Sequence, residues 1–196
     1  MRKRSDAEIE RTRAFWVASR PRETAAPALA APAPAWWIAA LAFIAALGLQ
    51  VSFAPFIAFR GATPSLVTLV VAWYALRTGV LYGLVFGLVA GACEDALGGA
   101  SGVAWTFATG FAGAVAGRFA GSWLADTKVV LVSGSAALTF ARFAVFALGI
   151  ELGGRPIALG LAQVHVALWQ SALDALLVYL GLLALPLLGG LRAYRR

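Results

Sequence analysis

The chain has few charged residues for its length. Only 13% of its 196 residues are charged, whereas 61% are hydrophobic, and the mean hydropathy is +0.83. A soluble domain carries about a quarter of its residues as charged groups, so this composition excludes a soluble globule. Between Ala35 and Leu191 the charges lie mostly between long apolar runs. That stretch has room for six membrane-spanning helices and for no separate soluble catalytic domain.

Cysteine and histidine are each present once. Cys93 alone excludes an intramolecular disulfide and a cysteine-based metal cluster, and its place in an apolar run favours a small packing residue. His165 alone cannot build a zinc site, and it is interpreted as an interfacial or hydrogen-bonded side chain. No P-loop, H-E-x-x-H or G-x-S-x-G motif is present. The sequence therefore predicts a protein that is not an enzyme, with no catalytic, cofactor-binding or metal-binding residues and no cofactor.

The apolar runs predict an all-α, polytopic integral membrane protein with about six transmembrane helices. The predicted spans are 36–53, 64–76, 80–97, 103–123, 129–150 and 157–188. The second span is short, which favours a tilted or half-length helix. The sixth is longer than one crossing, which predicts an interfacial start or a break near Gly160.

The regions on either side of these spans are basic. Residues 1–34 are predicted to form a cytoplasmic basic arm followed by a flexible Ala/Pro-rich linker, residues 35–191 the transmembrane domain, and residues 192–196 a basic cytoplasmic tail. With six spans and a cytoplasmic N-terminus, thirteen of the sixteen basic residues face the cytoplasm and only Arg60 and Arg155 face outward. This asymmetry predicts that both termini are cytoplasmic. The excess of basic residues in these regions is interpreted as a result of membrane topology and of attraction to anionic lipid, and not as a sign of nucleic-acid binding.

Glycines recur every four residues in the third predicted span, at Gly83, Gly87 and Gly91. Residues at this spacing share one helix face, and small residues there let another helix approach closely. The fourth span has its own series, Gly113, Gly117 and Gly121. Two interpretations follow: close packing of spans three and four against each other or against a partner helix, or a glycine-lined substrate path.

The third span ends in the acidic pair Glu94-Asp95. Charged groups at membrane depth are costly, so such residues are functional candidates. The pair could be solvated at the outer interface, pair with Arg155 or Arg60, contact a partner, or accept hydrogen bonds from the turn between Gly98 and Gly102. The last of these would be a structural role.

Arg142 and Asp174 are predicted near the middle of spans five and six. A lone charge at this depth is costly, whereas a pair is tolerated. Ser135 and Thr139 share the face of Arg142, and Gln163 and Gln170 share that of Asp174. The two polar faces are therefore expected to meet as a buried polar lock that includes Arg142, Asp174 and Gln170. A proton-coupled or ligand-coupled role is the alternative.

One segment resembles the rod shape-determining protein MreD family. It begins with Pro64-Ser-Leu-Val and runs to Arg77-Thr-Gly79, and the glycine series with Glu94-Asp95, Gly98 and Gly102 follows. The resemblance covers about 64–121. The family often has Asp directly after the proline, where this chain has Ser65.

The resemblance implies a non-enzymatic membrane scaffold of the bacterial cell-elongation complex, placed in the inner membrane and supporting cell shape and lateral peptidoglycan synthesis. The implied partners are membrane lipid, an MreC-like bitopic protein, the MreB filament and peptidoglycan synthases, with a possible homo-oligomer and no nucleic acid. The family's fold is similar to the S-components of energy-coupling-factor transporters. The alternative is therefore a substrate-binding, S-component-like transporter subunit for a small molecule.

Overall fold

The structure is a computed structural model that describes residues 33–98, 102–122, 127–154 and 161–193. The predicted N-terminal arm lies outside these ranges except for its last two residues. Arg155 also lies outside these ranges, and so does the predicted break near Gly160. The last two arginines of the tail, Arg195 and Arg196, lie outside them as well.

The described chain is all-helical, which confirms the all-α part of the predicted fold class. Its six α-helices are α1 (Trp36–Ser52), α2 (Leu66–Thr78), α3 (Val80–Gly98), α4 (Ala104–Arg118), α5 (Lys128–Leu152) and α6 (Leu161–Ala193), and a short 3₁₀ helix covers Ala54–Ile57. In these ranges the only β-type pairing is an isolated bridge between Phe59 and Ala62.

Three helices are long and apolar enough to cross a membrane: α3, α5 and the Leu161–Ala184 part of α6. Large apolar side chains also point away from the protein, among them Trp36 at 75% exposure and Leu81 at 67%. Such a surface is costly in water, and it matches hydrocarbon, where apolar side chains lose nothing by facing lipid tails.

Helix α2 is short, and its first turn is buried. Its 13 residues span about 20 Å, less than a bilayer core. The helix begins at Leu66 rather than at the predicted Pro64, because Ser65 has the non-helical backbone angles of an N-cap, with φ −97° and ψ 78°. Both Pro64 and Ser65 are fully buried. The start of α2 therefore lies inside the protein and not at its surface.

Helix α4 ends at Arg118, five residues before the predicted end of span four at Trp123. The chain then turns, with Ala120 N–H bonded to the carbonyl of Gly117 at 3.2 Å. Gly121 adopts a φ of +69°, which a side chain would oppose. The prediction was wrong here because the residues of the turn are as apolar as the helix before them.

Helices α3 and α4 pack with their backbones in direct contact. A Cβ added at Gly83 would lie 2.5 Å from the carbonyl oxygen of Gly113, and one at Gly117 would lie 2.6 Å from that of Gly79. A Cβ at Gly87 would likewise meet the carbonyl of Thr109. Gly83, Gly87 and Gly91 thus lie with Gly113 and Gly117 in one antiparallel helix contact, and any side chain there would separate the helices. Gly121, the last of the second series, lies past the end of α4, and a Cβ there would have nothing within 4 Å.

The apolar core lies around α2. Phe43, Val67, Val71 and Ala90 form one buried cluster, and Cys93 packs against it as a partly buried residue. A second cluster joins α2, α4 and α5 through Ala75, Ala112 and Leu138. Helix α2 therefore contacts both the α3–α4 pair and the remaining helices, and it holds its buried first turn at the centre of the protein.

Candidate functional site

A buried polar cluster surrounds Arg142, whose exposure is only 2%. Five helices, α2 to α6, contribute to it. This Arg142 cluster consists of Ser65, Thr68, Glu94, Thr109, Thr139, Arg142 and Asp174.

The guanidinium group of Arg142 bonds to three hydroxyls. Nε donates to Thr109 Oγ1 at 3.0 Å, and Nη1 donates to the oxygens of Ser65 and Thr68, each at 2.7 Å. Its Cζ atom also lies 4.4 Å from the centre of the Trp105 ring, which is a cation–π distance. The planar fork of arginine explains how one side chain reaches α2 and α4 at once.

The ion pair of Arg142 is with Glu94. Nη2 contacts Glu94 Oε2, and the same oxygen accepts a hydrogen bond from Thr109 Oγ1 at 2.9 Å. The side chain of Glu94 is only 9% exposed. Glu94 is therefore an interior counter-ion, which replaces the expectation that it is solvated at the outer interface or bound to Arg60.

Asp174 joins the cluster from the other side. One of its oxygens accepts from the backbone N–H of Ser65 at 2.7 Å, and the other accepts from the Thr139 hydroxyl at 2.7 Å. The polar faces of α5 and α6 thus meet through Thr139 and Asp174. Arg142 makes its ion pair with Glu94 and not with Asp174, the partner expected from the sequence; Ser65 links the two residues instead.

The bond from Ser65 to Asp174 also explains the buried start of α2. The first N–H groups of a helix have no partner within the helix and carry partial positive charge. Asp174 accepts a hydrogen bond from the N–H of Ser65, and the side-chain oxygen of Gln50 accepts one from the N–H of Val67 at 3.1 Å. A helix end at this depth is stable because side chains from α6 and α1 supply the acceptors that water would supply at a surface.

Asp95 has a different role from its neighbour Glu94. Its two carboxylate oxygens accept from the backbone N–H groups of Trp105 at 3.1 Å and Thr106 at 2.8 Å, and from the Thr106 hydroxyl at 2.7 Å. Val103, the N-cap residue of α4, has no side chain that could do this. Asp95 therefore caps α4 from the preceding helix, close to the structural role foreseen for the acidic pair.

Three other predicted site residues lie outside the Arg142 cluster. Gln170 is half-buried and lies outside its hydrogen bonds. Gly98 is the last residue of α3, and Gly102 has a φ of +66°, which glycine accommodates without strain. The three residues between Gly98 and Gly102 lie outside the described ranges.

Sequence reasoning missed the hydroxyl residues Ser65, Thr68 and Thr109. The signal was weak, because serine and threonine often bond to their own helix in a membrane protein. The one usable hint was that Ser65 and Thr68 stand three residues apart at the start of a short span, and so share a face.

A second group of side chains joins the connection between α1 and α2 to the start of α6. The guanidinium of Arg60 lies 5.0 Å from the Trp169 ring centre, and Trp169 Nε1 donates to His165 Nε2 at 2.9 Å. Phe59 packs edge-on against Trp169 at 4.9 Å. His165 is thus hydrogen-bonded at an exposed position. This group of side chains holds the connection between α1 and α2 against α6.

The interior polar side chains are bonded to other groups of the protein. Among the described residues no buried side-chain nitrogen or oxygen lacks a hydrogen-bond partner, and no group of three or more His, Cys, Asp and Glu residues is placed to hold a metal ion. The arrangement can hold five helices in one relative position. Over the part of the chain that the structure describes, the fold and this site define an all-helical protein with three helices able to cross a membrane and with an internally bonded ionic interior. No protein-family model matches the chain, and no curated protein or solved structure is significantly similar to it.

Proposed function

We propose that this chain is a six-span membrane scaffold of the bacterial cell-elongation complex, working without catalysis beside an MreC-like protein, the MreB filament and peptidoglycan synthases. Both termini lie in the cytoplasm, and the membrane is the bacterial inner membrane. The family resemblance of 64–121 motivates the named complex.

The observation that carries the scaffold role is that the polar groups of the Arg142 cluster are bonded to one another. A ligand or proton pathway needs a polar group that is free to bind, or water beside it. Here Arg142 directs four of its five N–H donors to Glu94 and three hydroxyls, while Asp174 accepts from two donors of the protein itself. Breaking such a buried network is costly, so the interior favours a fixed shape that other proteins can bind.

The α3–α4 contact supports the same proposal. Backbone contact along Gly83, Gly87 and Gly113 leaves no room between the helices for a substrate path. These glycines fall within the segment that resembles the family. Of the two interpretations that the glycine spacing allowed, the geometry favours helix packing.

The transporter-subunit alternative has one observation in its favour. In many transporters a helix that starts inside the membrane points its N–H groups at a substrate, and α2 starts in this way. In this chain, however, the Ser65 and Val67 N–H groups are already bonded to Asp174 and Gln50.

One purification separates the two functions. The tagged chain is expressed in its own host, or in a rod-shaped bacterium together with its neighbouring genes, and is purified from detergent-solubilised membranes for mass spectrometry. A scaffold retains an MreC-like protein and no vitamin. Recovery of ATPase subunits together with a bound vitamin would instead establish the transporter role.

A pair of glycine variants serves as the internal control for this experiment. Gly91→Leu forces a side chain into the backbone of Trp105 and should reduce MreC recovery. Gly134→Leu makes the same change in α5, where nothing lies within 4 Å of the new Cβ, and should leave recovery unchanged. Equal recovery from both variants would show that the α3–α4 contact does not support partner binding.

A further inference from the structure

A groove lies between the first half of α5 and the second half of α6. It has a volume of about 320 Å³ and is lined by apolar side chains that include Val132, Ala136 and Ala175, with Lys128 at one end. The single hydroxyl on its α5 wall, that of Ser133, donates to the carbonyl of Val129 at 2.9 Å and so is already bonded. Tyr179 adds a second hydroxyl on the α6 wall, so the groove is a largely apolar channel with one cation at its end.

The size of the groove decides what can fill it. From Lys128 to Ala136 it is about 12 Å long at the rise of an α-helix. A groove of this length and of about 320 Å³ matches a single narrow, flexible chain lying along it.

The position of Lys128 determines which polar group the bound molecule must have. Lys128 is the first residue of α5 and is exposed, as expected for a side chain at the border between hydrocarbon and head groups. A molecule lying in the groove with its polar end at Lys128 has an anionic group there. An acyl chain joined to a phosphate meets both requirements.

A second groove provides a comparison within the same protein. It lies between α1 and α2, has a volume of about 390 Å³, and is lined by alanine, leucine and valine residues with Trp73 and with no charged residue. Lipid tails are as apolar as these side chains, so an apolar groove alone does not select one lipid over another. Selectivity for one lipid head group therefore requires a charged side chain. Of the two grooves, only the one between α5 and α6 has such a side chain, Lys128.

We propose that the α5–α6 groove is a binding site for an anionic phospholipid, with one acyl chain between α5 and α6 and the phosphate on the Lys128 ammonium group. The site does not depend on the proposed partners of the protein. A lysine near a membrane surface contributes about 1 kcal/mol toward an anionic lipid, which corresponds to about a fivefold preference.

The test uses the purified, delipidated full-length chain and native mass spectrometry. Phosphatidylglycerol and phosphatidylcholine with the same acyl chains are added at equal concentration, and the bound fractions are compared. The wild-type protein should bind phosphatidylglycerol about fivefold better. Equal binding of the two lipids would overturn the proposal.

Three variants locate the site. Lys128→Ala should abolish the preference, whereas Arg118→Ala, which removes an exposed charge at the other end of the same connection between α4 and α5, should keep it. Ala136→Phe fills the apolar part and should reduce the bound amount of both lipids, with its melting temperature measured to verify folding. If Ala136→Phe unfolds, Val132→Phe takes its place. Loss of the preference in Arg118→Ala, or its retention in Lys128→Ala, would place the lipid elsewhere.

Discussion

Replacing Arg142 by methionine should remove the ion pair while leaving a side chain of similar length in its place. The loss has two parts. Three hydroxyl bonds disappear, each contributing about 0.6 kcal/mol in a membrane protein, which gives about 2 kcal/mol. Glu94 also remains buried without its cation, and breaking one side of a buried pair costs about 3–5 kcal/mol in all. We expect Arg142→Met to lower the free energy of unfolding by about 4 kcal/mol.

The second substitution identifies the true partner. In the double variant Arg142→Met with Glu94→Gln, position 94 no longer carries a buried charge without its ion-pair partner, so about 2 kcal/mol should be recovered relative to Arg142→Met alone. Combining Arg142→Met with Asp174→Asn should recover much less. Asp174 accepts from Ser65 and Thr139 and not from Arg142, so its substitution adds a loss of its own.

These free energies can be measured by steric trapping in bicelles, where the folded protein stays in a lipid environment throughout. Arg142→Lys is the matched control, since it keeps the charge and loses the bidentate fork; it should fall between the wild-type protein and Arg142→Met. A greater recovery with Asp174→Asn than with Glu94→Gln would refute the assignment of Glu94 as the counter-ion.

Three further predictions concern helix contacts. Gly87→Leu should lower the free energy of unfolding by about 1–3 kcal/mol or more, because its side chain meets the backbone of α4, whereas Gly134→Leu should change it by less than about 0.5 kcal/mol; equal effects would contradict the α3–α4 contact. Asp95→Ala should cost about 1 kcal/mol and should speed hydrogen exchange of the first amides of α4, and unchanged exchange there would exclude its capping role. Arg60→Ala should cost about 0.5–1 kcal/mol through the loss of its exposed contacts with the Trp169 and Phe59 rings, and a loss of several kcal/mol would mean that these contacts contribute more than their exposure allows.

The helices themselves could be predicted closely from the sequence. The apolar runs are bounded by polar or glycine residues at most ends, and α3 differs from its predicted span only in including Gly98. The predicted end of the fourth span was wrong for a physical reason. Hydropathy records whether a residue tolerates hydrocarbon and does not register the backbone turn at Gly121, where the chain remains apolar while it leaves the helix.

The partners of Arg142 could be predicted only in part. Its face of α5 follows from helix periodicity, and that face does meet Asp174 through Thr139. The choice between Glu94 and Asp174 depends on how far each helix is rotated and how deep it lies. Those quantities depend on the packing of Gly91 and its neighbours against α4, which hydropathy does not contain.

The bond between Ser65 and Asp174 has a consequence for how the chain is assembled during synthesis. The N-terminal helices leave the ribosome first, so Arg142 can find Glu94, Thr109 and the hydroxyl of Ser65 before α6 exists. The backbone N–H of Ser65 has no such early partner, because its acceptor stands 109 residues later in the chain. A five-helix intermediate therefore holds one unpaired N–H group, that of Ser65, at membrane depth, and insertion of α6 is the step that satisfies it.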